Sequence, residues 1–357
     1  MKKPRNIDIA RMAGVSSATV SRVINKTCAV NEETYKKVIK AMDALGCEDR
    51  LKGALPAREN PKERESRKIV IMCVPSISNP FYDMIASGIQ AAANHFGYEL
   101  MIYSQMLNGQ RLNVLIDIAR SNRVAGMITL EPLSREELER LCAATRVVQC
   151  CEYCEDSNVS YVSVDDRLAT RTALEYLKSC GCSKFGFING PMRYKYARHR
   201  QESYLNFLRE NGLQRNDDWM LQLSSVDLSI SSAVIMQMLS RENPPDAFFA
   251  ASDVFAAVAI KTAKAIGLNV PGDLMVVGFD NIDMATISDP AITTISQPKF
   301  QLGYVACNLL ADQINNPSAE PQRVILETEL IVRGSTTNQQ YQGTEENAVA
   351  LALVNKN

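Results

Sequence analysis

Apolar positions along residues 6–31 recur in a pattern that predicts two short helices joined by a tight turn. Ile7, Ile9, Ala10 and Ala13 place apolar side chains on one face of the first, at helical spacing. Gly14 supplies the permissive backbone that a sharp interhelical turn requires. Ser16 or Ser17 caps the second helix, whose Val20, Val23 and Ile24 face inward. Ser17, Ala18, Thr19, Ser21, Arg22 and Asn25 are left facing outward, and a third helix opens at VNEETYKKV.

From Lys68 the pattern changes to short apolar runs separated by amphipathic stretches. Strands are predicted at 68–74, 99–104, 125–130, 146–151, 161–164, 184–189, 246–251, 274–279 and 293–296. Segments such as 81–97, 166–180, 228–241 and 252–266 carry helical periodicity. Strands alternating with helices imply parallel sheets covered on both faces. There are too many units for one comfortable sheet, so the expected class is α/β with two Rossmann-like subdomains behind an all-α helix-turn-helix. In such sheets ligands bind beyond the carboxyl ends of the strands.

Charge sharpens the picture. In residues 1–45, nine cations (Lys2, Lys3, Arg5, Arg11, Arg22, Lys26, Lys36, Lys37, Lys40) meet four anions (Asp8, Glu32, Glu33, Asp43), a balance of +5 in a chain whose net charge is −1. A basic head on an otherwise acidic chain is the footprint of a nucleic-acid-binding module attached to something that does not bind nucleic acid. The outward face of the second helix is the layout of a helix lying in a major groove of double-stranded DNA. Ser17, Ala18 and Arg22 are the candidates for base readout, with Arg22 able to fork onto guanine. Arg5, Ser16, Thr19, Ser21 and Asn25 are the candidates for phosphate positioning and capping.

A length of 357 residues suits two or three compact units, and 46% hydrophobic residues suffice for a real core. No apolar run is long enough to span a membrane and the N-terminus has no signal-peptide core, so a cytoplasmic protein is expected. Ten cysteines include the cluster Cys150, Cys151 and Cys154, but with only two histidines and no repeated C-x-x-C they are read as small buried apolar residues. No metal or cofactor is expected. Without a P-loop, a G-x-S-x-G or a nucleophile–base pair, an enzyme is not expected either.

The run GVSSATVSRVIN with VNEETYKKV strongly resembles the lactose-repressor (LacI/GalR) family of bacterial transcription regulators. VPSISNPFYDMIASGI, VSVDD, GFDNID and DPAITTISQP extend the resemblance in the same order, from residue 5 to about 337. Within the family, ESRKIVIMCVPSISNPFYDMI, AAANHFGY, GFDNID and LETELIVRGST are most similar to a repressor that works beside a second transcription factor. The resemblance implies a periplasmic-binding-protein-like core over 68–337. Its N-subdomain is expected at about 68–165 and 299–325 and its C-subdomain at about 168–296 and 329–337, with crossings near 165–167, 296–299 and 325–329. It also implies a small polar effector, a sugar or nucleoside, in the cleft between them.

Candidate effector contacts sit just after strands. Phe81 and Tyr82 follow the first, where an aromatic pair can stack on a base or a sugar face, although Phe81 equally suits the core. Asp165, Asp253 and Asp280 follow three others; N-capping is the favoured use of Asp253 and ligand binding that of Asp280, with Asp165 undecided. The family pattern, a Gly-Pro followed ten residues after the Gly by an arginine, is matched by Gly190 and Arg200. Tyr194, Lys195 and Arg198 are expected to be solvated, and Val226 approaches the ligand from the opposite wall.

One segment departs from the family. Where most relatives carry a hinge helix with a leucine wedge for the minor groove, this chain has GCEDRLKGALPARENPKERESR (46–67). Glu48 and Asp49 would oppose phosphates and Gly53 and Pro56 weaken a helix, which favours a charged tether over a wedge at Leu51 or Leu55. The tail, 338–357, lacks the heptads of a tetramerising coiled coil. A homodimer on a palindromic operator is therefore expected. The alternative is control mainly by a protein partner, another transcription factor or a phosphocarrier protein, with a vestigial cleft.

Overall fold

The computed structural model describes residues 4–25, 32–45, 68–223 and 228–337. The chain forms two compact units, Met1–Arg67 and Lys68–Asn357. In the first, α1 (Asn6–Ala13), α2 (Ser17–Asn25) and α3 (Glu32–Ala44) enclose a small core of Ile9, Ala10, Ala13, Val20, Val23, Ile24, Val38, Ala41 and Met42. Gly14 ends α1 at φ +65°, a left-handed conformation that favours glycine. Ser16 caps α2, its Oγ accepting from the Thr19 N–H at 3.1 Å. Ile7, expected on the buried face, is instead 52% exposed, because the face that meets α2 and α3 is completed by Ile9, Ala10 and Ala13.

The second unit holds two six-stranded sheets. The first runs β11-β5-β4-β3-β1-β2, built from β1 (Ile69–Val74), β2 (Glu99–Ser104), β3 (Val124–Thr129), β4 (Arg146–Cys150), β5 (Tyr161–Val164) and β11 (Arg323–Leu326). The second runs β12-β10-β9-β8-β6-β7. It comprises β6 (Phe185–Asn189), β7 (Met220–Gln222), β8 (Ala247–Ala250), β9 (Met275–Asp280), β10 (Thr293–Ser296) and β12 (Glu329–Ile331). Strand pairs are parallel except β10 with β12. Central strands buried on both faces explain why β1, β6 and β8 read as unbroken apolar runs.

Each sheet is coated on both faces. The first carries α4 (Phe81–Phe96) and α12 (Lys299–Asn315) on one face and α5 (Gly109–Ala119) and α6 (Arg135–Cys142) on the other. The second carries α7 (Asp166–Ser179) and α8 (Lys195–Glu210) on one face and α9 (Leu228–Leu239) and α10 (Asp253–Ala265) on the other. A short α11 (Asp283–Ile287) follows β9. The chain leaves the first sheet after β5, returns to it from β10 through α12, and crosses again between β11 and β12. The carboxyl ends of the two sheets are thereby tied together at three strands.

Helices α4 and α12 touch backbone to backbone. A Cβ on Gly88 would lie 2.0 Å from the Phe300 carbonyl oxygen, and one on Gly303 would lie 2.0 Å from that of Ile85. Cys73, Cys150 and Cys307 are fully buried among apolar side chains. Among the described residues no helix is long and apolar enough to cross a membrane.

Candidate functional site

The first site is the outward face of α2. Ser16, Ser17 and Ala18 are exposed, and Thr19 and Ser21 half-exposed, while Val20, Val23 and Ile24 on the opposite face are buried. Ser16 Oγ lies 2.9 Å from Thr19 Oγ1. Arg5 stands before α1, its N–H donating to Asp8 at 2.8 Å and its side chain 83% exposed. Arg22 and Asn25 lie on α2, with side chains outside the described ones, as are Val226, the 46–67 segment and the tail.

The second site lies where loops from the two sheets meet inside the larger unit. Phe81 is nearly buried in the first core and meets Tyr82 edge-on, with ring centres 5.4 Å apart, so Phe81 serves packing. Tyr82 faces Tyr194, Tyr196 and Glu152; burial first, then these neighbours, raise its hydroxyl well above the usual range. Tyr196 in turn lies close to Arg200 and Asp280, so Tyr82, Arg200 and Asp280 are gathered around one aromatic cluster.

Arg200 is itself buried and already held. Its Nε and Nη2 donate to Asp166 Oδ1 at 2.9 and 2.8 Å, and its Nη1 donates to the Ala251 carbonyl at 2.6 Å. Its guanidinium lies over the Phe279 ring at 3.4 Å. Asp165, by contrast, is exposed and caps α7, accepting from the N–H groups of Arg167 and Leu168 at 3.0 Å. Its neighbour Asp166 is the carboxylate that turns inward.

Two expectations are corrected. Capping before α10 falls to Ser252, which accepts from the Phe255 N–H, rather than to Asp253. Asp253 is fully buried and braces the turn after β9, accepting from Ile282 N–H at 2.9 Å and Thr294 Oγ1 at 2.5 Å. Nor are Tyr194 and Lys195 solvated, although Arg198 is exposed. Lys195 is 2% exposed; its Nζ donates to Asp166 Oδ2 at 2.7 Å and Ser163 Oγ at 3.0 Å, and sits 4.6 Å from the Tyr153 ring centre. A buried ammonium is tolerated here because an ion pair and a hydroxyl replace its water.

The turn after β9 carries Asp280 at φ +105° and Asn281 at φ 51°, the left-handed region that costs a non-glycine residue about 1–3 kcal/mol when sparsely populated. Lys299 pins it by donating to the carbonyls of Asp280 and Asn281, and Gln297 donates to Asp280 Oδ1 at 2.7 Å. Burial pushes the Asp280 carboxyl up to about 7, against the pull of Arg200. Asp166 goes the other way: burial would raise it, but Lys195 and Arg200 overcome that and hold it at about 2.

Glu152 is a further residue of this cluster that no sequence motif marks. It follows β4, is buried, and accepts from the N–H groups of Lys195 (2.6 Å) and Tyr196 (3.2 Å) at the start of α8. Its signal was the strand end it occupies; its partners lie some forty residues away. A cavity of about 140 Å³ between β6, β7 and α8 is lined by Phe187, Asn189, Gln201, Met220 and Gln222. It lies beside the second sheet, apart from Tyr82 and Asp280, and Asn189 bonds Gln222 at 3.1 Å within it. The polar groups converging around Tyr196 make the stronger candidate for a ligand site.

Comparison with known proteins agrees with both halves. Residues 7–47 match the model of bacterial regulatory proteins of the lacI family, and 174–336 match a periplasmic binding protein-like domain. The chain is 33% identical to the HTH-type transcriptional repressor CytR of Escherichia coli (strain K12) over 334 residues, 92% of this chain and 95% of that protein. The solved complex of the transcriptional regulator CelR with cellobiose superimposes with a TM-score of 0.69 at 27% identity, covering 93% of this chain and 99% of that one. The lac repressor dimer bound to operator and the anti-inducer ONPF has the same fold, with a TM-score of 0.69 at 23% identity over 94% of this chain and 100% of that one. With a helix-turn-helix head, a two-subdomain core and this identity over nearly its full length, the chain belongs to the LacI family of DNA-binding transcriptional repressors.

Proposed function

We propose that this repressor reads a twofold-symmetric operator as a homodimer and that a small polar effector, a sugar or nucleoside, controls its affinity from the cleft around Tyr82, Arg200 and Asp280. The observation that carries the reading is the gathering of these side chains about the Tyr196 ring, Tyr82 from the first turn of α4, Arg200 from α8 and Asp280 from the end of β9. A ligand in contact with both subdomains stabilises one relative setting of them, which is what differential binding to two states requires. The cluster has donors, acceptors and stacking faces but no activated nucleophile, and the function is regulatory rather than catalytic, in the cytoplasm.

The test is selection of duplexes from a random pool by the full chain, followed by titration of candidate effectors against the selected site. An inverted repeat should emerge, and Arg22→Ala should relax preference at one position of each half-site and cost about 1–3 kcal/mol. An enriched repeat whose binding no sugar or nucleoside alters would move control to a protein partner, a second transcription factor or a phosphocarrier protein. Failure to enrich any sequence would remove the operator reading.

A further inference from the structure

Glu131 stands just beyond β3, the strand between β1 and β4, at the carboxyl edge of the first sheet. It is 2% exposed, and its Oε1 has no hydrogen-bond partner among the described residues. A buried carboxylate oxygen without a donor is costly to keep and is rarely left so in a finished core. Burial pushes this carboxyl up to about 7, and the strongest pull against that comes from Arg193, which stands between β6 and α8 in the other subdomain.

Arg193 already reaches from one subdomain to the other. Its Nη1 donates to Met106 Sδ at 2.6 Å, in the loop after β2, and its Nη2 donates to the neighbouring Tyr194 hydroxyl. A thioether is a weak acceptor and a phenol an uncharged one, so neither bond neutralises the guanidinium. Lys195 and Arg200, by contrast, form direct ion pairs with Asp166. The backbone at Arg193 is braced, because Arg198 Nη1 donates to the carbonyls of Met192 at 3.1 Å and of Arg193 itself at 2.7 Å. The exposed side chain is therefore the part that can swing.

We infer that Arg193 is a positioning residue for closure of the effector cleft: when ligand draws the subdomains together, its guanidinium leaves the Met106 thioether and pairs with the Glu131 carboxylate. This rests on the effector reading proposed above and adds the contact that fixes the liganded setting. A guanidinium–carboxylate pair is stronger than either bond Arg193 makes in this structure, and it supplies the donor the buried oxygen lacks. A pair made in one setting of the subdomains favours that setting alone, which is what a ligand-driven shift requires. Arg193 lies two residues before α8, the helix that carries Tyr196 and Arg200, so the pair sets the Tyr196 cluster against the first sheet.

The experiment is a thermal-shift titration of the full chain with ribose, glucose, cytidine and adenosine, on wild type, Arg193→Met, Glu131→Gln and the double variant. Wild type should respond to at least one compound. Each single variant should bind that compound about tenfold more weakly, and the double variant no more weakly than either single, because all three remove the same contact. Unliganded midpoints should be unchanged, or higher in Glu131→Gln, since the pair is not made without ligand. Losses that add in the double variant would mean that each residue meets the ligand separately, and equal affinities in all four chains would mean that no such pair forms. Either result overturns the inference and leaves the effector cleft standing. A lowered unliganded midpoint with affinity intact would overturn it as well, by making the carboxylate purely structural. Silence of wild type with every probe would reject the effector reading and this inference together.

Discussion

At the scale of single residues, the core of the larger unit is governed by how buried charges are matched. Lys195 and Arg200 share Asp166, and all three are almost fully buried. Replacing Lys195 by methionine leaves Asp166 with Arg200 alone, so the loss in urea unfolding at pH 7 should fall near the lower end of about 3–5 kcal/mol. A loss under about 1 kcal/mol would mean that the pair contributes little. Asp280 predicts an opposite sign. Its folded-state carboxyl, raised to about 7, holds its proton where the unfolded chain has lost it. Stability from this group is full below about 3.9 and declines as pH rises through about 7. Asp280→Asn should remove that decline and stabilise the chain at pH 8 by about 1–2 kcal/mol, within the usual range of single substitutions; urea midpoints at pH 5 and pH 8 that move equally would contradict it. The aspartates after strands were visible as candidates because strand ends are visible. The sharing of Asp166 by Lys195 and Arg200 was not, because the partners lie 29 and 34 residues from it in sequence and a basic run reads as a solvated face.

At the scale of elements, periodicity revealed the central strands because burial on both faces makes them continuously apolar. The short edge strands β7 and β12, with three residues each, carry too little pattern to read. The closest helix contact, α4 on α12, hides in sequence because its signal is two glycines far apart, Gly88 and Gly303. A methyl at either must displace backbone rather than a side chain. Gly88→Ala and Gly303→Ala should each cost about 1–3 kcal/mol or more. Amide exchange should rise first in α4, α12 and β3–β5, and unchanged unfolding midpoints would show that the helices can separate freely. In the small unit, Gly14 and Ser16 give the turn and the cap their local signals, whereas Ile7 is exposed despite its apolar spacing because three apolar positions already fill the face of a two-turn helix.

At the scale of the whole molecule, the basic head and the acidic remainder divide the work. On the proposed reading the head gains affinity for any duplex through its cations and selectivity through α2, so binding should weaken steeply with salt while the preferred sequence stays the same. The core brings segments of two subdomains together around Tyr196, and on the proposed reading what binds there is felt at the DNA. The most direct measurement is the dissociation constant of the full chain for its selected duplex at one fixed salt concentration. It is taken with and without the ligand that most raises the chain's thermal midpoint, in wild type and in Asp280→Asn. A ligand-induced change of about 5–150-fold is expected in wild type, nearly abolished in the variant while its unliganded DNA affinity stays within about twofold. An identical dissociation constant with and without saturating ligand in wild type would contradict it.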